Sequence, residues 1–487
     1  MKSSNNKRGF TLIELLAVIA ILAILLIIAI PSVIKMYNNA KVNTFVDEVQ
    51  SVINTAEKQY MSDQIGSVVP TCYSNDATVK TQEGCTELDL SGNKNLKYYV
   101  KFEDGHIVNA QVDDGSHAWD SGTLTRVDAS SVKAGDVDSE NANGAIELED
   151  AQLTLYNIIK NSALTTAIDF KVNSGESGTN GIYTTTETDS GKPVYYYRGS
   201  YEALNNNLIF NNFCWKIIRT TETGGVKIIY NGTPTDGKCE TQTGEGTQIG
   251  ESSFNTNSYD NAYVGYMYGT PDSSTYEATH ANTNPSAIKT YIDEWYASNM
   301  TNVTSKLEDT VFCNDRSTKA YDADAIGDTS MSLYGSLGYG RNMTLYGAIH
   351  RASYYSKNPT PSLKCAQQND KFTVSSTNGN GKLTYPVGLI TSDEVVFAGY
   401  NTKYSNTSND QDTTNYLYTN SNYWTLSPVR VCTACGGAFL GYVHIVGFLS
   451  NNDAYYSYGV RPAVSLAEGT LVESSGNGST SNPYVVK

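Results

Sequence analysis

Apolar positions fall into three regimes along the 487-residue chain. From Phe10 to Ile30 they run almost unbroken, with only Thr11 and Glu14 interrupting. Twenty-one residues at ~1.5 Å rise span roughly 30 Å, one hydrocarbon core, so this run predicts a membrane-spanning helix. From Val33 to about Tyr60 the apolar residues take helical spacing: Val42, Phe45, Val46, Val49, Val52, Ile53, Ala56 and Tyr60. The first helix is therefore expected to continue, kinked at Pro31, with one face buried on a globular head. Beyond residue 70 the period falls to two. Residues 95–102, the turn Glu103-Asp104-Gly105 and residues 106–112 read as strand, turn and strand, and Asp113-Asp114-Gly115 leads into a weaker third strand. Residues 128–146 are polar and acidic and read as a linker; residues 147–165 form a short amphipathic helix with Leu153, Leu155, Ile158 and Ile159 on its core side.

The remainder is rich in strands and turns. Residues 208–219 predict two strands around Asn211-Asn212. Residues 222–225 turn into a strand at 226–230, residues 287–302 are helical, and a last block runs from Asn422 through a Gly-rich hairpin to Leu466. The fold class predicted is α+β: a long N-terminal helix with a small antiparallel sheet, then a large mixed, β-rich domain. Expected boundaries are a leader at 1–9, the helix at 10–60, a β head at 61–130, a linker with a short helix at 131–194 and the large domain at 195–487.

Chemistry concentrates first at the amino terminus. The sequence Lys7-Arg8-Gly9-Phe10-Thr11-Leu12-Ile13-Glu14-Leu15 resembles that of type IV pilins and pseudopilins. The resemblance covers about the first 60 residues. It implies cleavage after Gly9 by a membrane-embedded prepilin peptidase, N-methylation of Phe10, and an assembly role for Glu14 against the amino terminus of a neighbouring subunit. Independently, a carboxylate inside a membrane-length helix needs a partner. Lys7 and Arg8 place the leader in the cytoplasm and the rest outside by the positive-inside rule. A secretory signal peptide would have a shorter apolar region and a small-residue cleavage site after it.

The charge balance fits an extracellular surface. The chain has 34 basic and 50 acidic residues; loss of Lys2, Lys7 and Arg8 brings the net charge to about −19. Sequence-independent capture of nucleic acid, which needs Lys and Arg on phosphates, is not expected. Eight cysteines, none in the apolar run, suggest disulfides in an oxidising compartment. Proximity in sequence favours Cys72–Cys85, Cys214–Cys239, Cys313–Cys365 and Cys432–Cys435 among 105 connectivities. Cys432-Thr433-Ala434-Cys435 is a C-x-x-C, but no second one completes a zinc site, so a local disulfide is the reading over redox or metal work.

Ser139-x-Asn141-x-Asn143-Gly144-x-Ile146-x-x-x-Asp150 resembles a calcium-binding EF-hand loop. Ser at its first position and Asp at its twelfth depart from that pattern, and a helix-capping linker is the reading, with calcium as the alternative and no other cofactor expected. Asp322-x-Asp324-x-x-Gly327 fits less well, since its twelfth position is Leu333. The five histidines (106, 117, 280, 350 and 444) do not pair at metal-ligand spacing, and no catalytic residues are assigned.

Trp215 to Arg219, Tyr385 to Glu394, Tyr423 to Pro428 and Tyr458 to Pro462 resemble the markers of a domain common in surface proteins of low-GC Gram-positive bacteria, and the closing pattern is similar to C-type-lectin-like folds. The resemblance implies a fold rather than an activity. Tyr423 and Trp424 read as core rather than as a carbohydrate platform, and Arg461 as structural. Together these readings predict a non-enzymatic, minor or tip pilin-like subunit with partners in other pilin subunits, the prepilin peptidase, the membrane and an extracellular glycan or protein ligand. The alternatives are a secretion or competence pseudopilin and a surface enzyme on a pilin anchor.

Overall fold

In a computed structural model, the structure describes residues 12–64, 69–76, 79–80, 85–90, 96–122, 124, 126–138, 154–171, 179–353, 355–400, 412–473 and 475–487, with side chains for Leu16 and from Met36 onward. The chain divides into two compact units, residues 1–149 and 150–487.

The first unit is built on one 52-residue helix, α1 (Leu12–Asp63), whose helical backbone runs through Pro31 without a break. Phe45, Val49, Val52, Ile53 and Ala56 are buried, and Val46 and Tyr60 pack at the edge, matching the predicted face. That face covers a sheet of β1 (Cys72–Ser74), β2 (Lys97–Glu103), β3 (His106–Asp113) and β4 (Ala118–Asp120), joined in that order and antiparallel throughout. Asp104 and Gly105 take φ of 47° and 81°, the left-handed pair that a two-residue hairpin needs. The helix end is tied down by Tyr60, stacked on Phe102 at 4.0 Å, and by the Tyr73 hydroxyl, which donates to Asp63 at 2.7 Å.

Ile53 is fully buried in this core. Ile53→Ala is therefore expected to destabilise the first unit by about 3 kcal/mol. Amide exchange across Lys97–Asp113 should accelerate by roughly 100-fold where it follows unfolding of this unit; unchanged exchange would show that the helix face does not carry the sheet.

The second unit contains two sheets over one core. The first comprises β5 (Ala163–Leu164), β6 (Gly181–Thr185), β7 (Val194–Arg198), β8 (Asn207–Phe210), β9 (Phe213–Thr220), β10 (Val226–Tyr230), β22 (Ala463–Leu466) and β23 (Tyr484–Val485). Its spine runs β22-β10-β9-β7-β6-β5, with β8 joining β9 to β23. The second comprises β11 (Glu251–Ser253), β15 (Thr318–Lys319), β16 (Thr344–Tyr346), β18 (Tyr423–Cys432), β19 (Gly437–Val443), β20 (Leu449–Asp453) and β21 (Ser457–Gly459). Two short ladders are interleaved in sequence with the strands of the second sheet: β12 (Met267–Tyr268) with β13 (Asn284–Pro285), and β14 (Phe312–Cys313) with β17 (Lys371–Phe372). The helices are α2 (Leu155–Asn161), α3 (Tyr276–Thr279), α4 (Ala287–Asn299), α5 (Ala348–Arg351) and α6 (Ser392–Phe397).

Asn211 and Asn212, at φ of 51° and 60°, form the predicted turn between β8 and β9. The predicted helix at 287–302 ends as α-helix at Asn299 and continues as a 3-10 turn from Thr301 to Lys306. One expectation differs from the structure. The sequence reading begins the large domain at 195, but Leu155, Ile158 and Ile159 of α2 and Ile182 of β6 are buried in the same core as Trp215 and Trp424. The segment looks like a linker because its apolar positions are few and widely spaced; β6 gains its place only by pairing along its length with β7.

Disulfides join Cys72 to Cys85, Cys214 to Cys239, Cys313 to Cys365 and Cys432 to Cys435. Among the described residues no helix is long and apolar enough to cross a membrane. The side chains of the apolar run Phe10–Ile30, Leu16 excepted, lie outside the described residues.

Candidate functional site

The first turn of α6 shows how the sequence builds a charged cleft in the second unit. Thr391-Ser392-Asp393-Glu394 is a capping box: the Thr391 hydroxyl accepts from the Glu394 amide at 3.1 Å, and Glu394 Oε2 accepts from the Thr391 amide at 2.9 Å. This fixes two adjacent carboxylates, which turn to different cations. Glu394 accepts from Lys227 Nζ on β10 through both oxygens, at 2.8 and 2.9 Å, and from Arg219 Nε on β9 at 2.7 Å. Asp393 takes the Arg351 guanidinium in a two-pronged contact, Nε at 3.0 Å and Nη2 at 3.2 Å, and Arg351 also reaches Asp315 at 2.9 Å.

Glu394 and Lys227 side chains are each 2% exposed. Burial alone would push the Glu394 carboxyl up, but the Lys227 and Arg219 charges outweigh it and hold it down at about 2. Arg351 shows the same competition: burial lowers its pKa, and Asp393 and Asp315 more than reverse this. At Glu308 the balance goes the other way: burial raises its pKa and outweighs the hydrogen bonds from Thr221 and Thr223 and the Arg219 charge, which lower it; Thr223 donates to Oε2 at 2.9 Å.

These groups line a cavity of about 420 Å³. Its five cationic side chains are all paired: Arg219 and Lys227 with Glu394, Arg351 with Asp393 and Asp315, Lys364 with Glu187, and Lys371 with Asp189. Seven acidic side chains line it. Of these, Glu222 and Asp309 are turned to backbone amides. The lining is thus acidic in balance and offers acceptors rather than free cations, which suits a ligand bearing N–H or O–H donors. No histidine lines it, and its Cys313 is held in a disulfide.

The residues singled out in the sequence lie elsewhere. Gly9 and Phe10 lie outside the described residues, as does the loop Ser139–Asp150 with its Asn141, Asn143, Gly144 and Ile146. Glu14 lies on the backbone of α1. Asp322 closes a local turn, accepting from the Asp324 amide at 2.9 Å, and among the described residues no cluster of His, Cys, Asp and Glu could hold a metal ion. Tyr423 and Trp424 are fully buried; the Tyr423 hydroxyl donates to the Leu417 carbonyl, and Trp424 Nε1 to the Ser252 carbonyl. Arg461 is buried beneath Tyr423, 4.8 Å from the ring centroid, and donates to the Tyr230 carbonyl and the Asn231 side chain. All three are core groups. The cleft residues Lys227, Arg351, Asp393 and Glu394 carry no site signal in the sequence beyond the T-x-x-E cap inside the Tyr385–Glu394 marker.

In comparison with known families, residues 4–30 match the prokaryotic N-terminal methylation motif. Neither a curated protein nor a solved structure matches the chain. The motif supports a subunit of the type IV pilin family, with processing by a prepilin peptidase.

Proposed function

We propose that the chain is a minor or tip subunit of a type IV pilin-like filament. The observation that carries this reading is the methylation motif at residues 4–30, which runs directly into the 52-residue helix α1. In this reading a prepilin peptidase cuts after Gly9 and methylates Phe10, the run Phe10–Ile30 spans the membrane with the leader inside, and Glu14 meets the amino terminus of a neighbouring subunit. Residues 150–487 form the displayed head, stapled by three of the four disulfides, as an extracellular compartment favours. The head's marker segments extend the proposal to a C-type-lectin-like fold, and its role is binding and adhesion rather than catalysis. A head of this size would crowd a dense helical array, which favours a place at the tip over the shaft.

Mass spectrometry of the mature protein tests the processing step. The expected amino terminus is N-methylated Phe10, and Gly9→Ala is expected to leave the full leader attached. An intact leader on the wild-type mature chain would overturn the reading.

A further inference from the structure

The second unit carries a second surface, chemically unlike the charged cleft. The turn between β20 and β21 exposes Tyr455 (46%) and Tyr456 (43%) side by side. Tyr259, 56% exposed, follows Ser258 in a separate loop. Main-chain bonds hold the two loops together: the Ala438 amide donates to Ser258, and the Ala454 amide to Ala438, at 2.6 and 2.8 Å. Exposed aromatic groups gathered in one place mark an interaction site more often than scattered ones do.

The rings are also fixed in advance. Tyr455 stacks on Tyr456 at 4.6 Å with planes 25° apart, and Tyr456 lies nearly parallel to Tyr458 at 6.3 Å. Tyr458 leans on the buried Trp424 at 4.8 Å and receives a hydrogen bond on its hydroxyl from Asn452 Nδ2 at 2.5 Å. The exposed pair thus continues a ladder rooted in the core, and little side-chain freedom remains to be lost on binding.

Its chemistry selects among ligands. Neither contributing segment, 255–260 or 449–459, contains Lys or Arg, and their two acids, Asp260 and Asp453, are buried. The cations of neighbouring elements are already engaged: Arg341, whose charge reaches Asp260, is paired with Asp272 at 2.9 Å, and Arg430, whose charge reaches Asp453, lies over the Phe439 ring at 4.2 Å, so the tip favours an uncharged ligand over an anion. Three half-exposed tyrosines offer on the order of 300 Å², well short of the roughly 800 Å² per partner of a stable protein interface. What fits is a small, uncharged molecule with a C–H face to lie on a ring and hydroxyls to meet phenol and amide groups.

We propose that the tyrosine tip formed by Tyr259, Tyr455 and Tyr456 is a binding site for a neutral glycan. The proposal deepens the reading of residues 150–487 as a displayed binding head and rests on it for its biological setting.

The test is a saturation-transfer and titration series on the full chain in detergent micelles, with neutral trisaccharides of glucose, galactose, mannose and N-acetylglucosamine as probes. At least one is expected to bind with a Kd of about 1 mM or tighter. The double variant Tyr455→Ala/Tyr456→Ala should weaken it by about tenfold or more, while Tyr455→Phe/Tyr456→Phe, which keeps the rings, should stay within about threefold. Binding unaffected by the alanine pair would overturn the site. So would failure of every probe, or a concentration-dependent self-association that the alanine pair abolishes in place of saccharide binding. The titration does not depend on processing: an unprocessed Gly9→Ala chain should bind the same sugar equally well, so failure of the glycan site and failure of the filament reading are separable.

Discussion

Glu394→Ala is expected to lower the unfolding temperature of the 150–487 unit by roughly 8 °C. The carboxylate holds Lys227 and Arg219 with three short contacts and caps α6 at the same time. Removing it leaves the Lys227 amine, 2% exposed beside the Phe312 ring and with its pKa already lowered to about 8 by burial, without the carboxylate that keeps it charged. Breaking such a pair from one side costs about 3–5 kcal/mol, and the lost cap adds about 1 kcal/mol. The pH dependence carries the sign of this effect. The folded carboxyl lies near 2, below its ordinary 4.5, so its stabilisation is complete above 4.5 and is lost as the pH falls through about 2. A shift of that size is worth about 3 kcal/mol. Wild type and variant should therefore differ most near pH 7 and converge near pH 2. Replacing Lys227 and Glu394 together by methionine should recover most of the loss, because no buried charge remains unpaired there and Arg219, 13% exposed, can turn to water. A Glu394→Ala unfolding temperature within 2 °C of wild type would show that the network does not hold the unit together.

That network also marks where sequence reading stops. Elements set by near neighbours were legible. The Asp104-Gly105 and Asn211-Asn212 turns follow from residues that tolerate positive φ, and the buried face of α1 follows from spacing along a single helix. Glu394 and Lys227 are 167 residues apart, and Arg351 comes from a third segment. Nothing local ties them: a Lys in a strand reading Val-Lys-Ile-Ile-Tyr looks like a solvent-facing position, yet every residue of β10 is buried, because other elements cover both of its faces, with Val226, Ile228, Ile229 and Tyr230 in the core and Lys227 against Phe312 and Glu394. The same long-range packing drew α2 and β6 into the large unit, although their own segment reads as a linker. The tyrosine tip was hidden for the opposite reason. Tyr455 and Tyr456 sit in a block rich in tyrosine, much of it core, and only the turn geometry brings these two out while Tyr423 goes in.

Glu14→Ala should separate two roles that the amino-terminal run combines, insertion and assembly. Glu14 lies only about 6 Å into the run at ~1.5 Å per residue, so it opposes insertion by less than the roughly 2.5–3.5 kcal/mol of a carboxylate at the helix centre, and alanine should insert at least as well as the native residue. Assembly should move the other way. In the proposed filament Glu14 accepts from the methylated amino group of Phe10 in the next subunit. A charge-assisted hydrogen bond of that kind is worth about 1.5–3 kcal/mol, or roughly ten- to a hundredfold in incorporation. Immunoblots of the membrane and sheared-filament fractions read both outcomes at once. Full membrane levels with filament signal reduced at least tenfold are expected, with the tyrosine tip and the disulfides unaffected. Wild-type incorporation of Glu14→Ala would instead make Glu14 a tolerated passenger in a plain anchor, and the large head would then be displayed by the membrane rather than by a polymer.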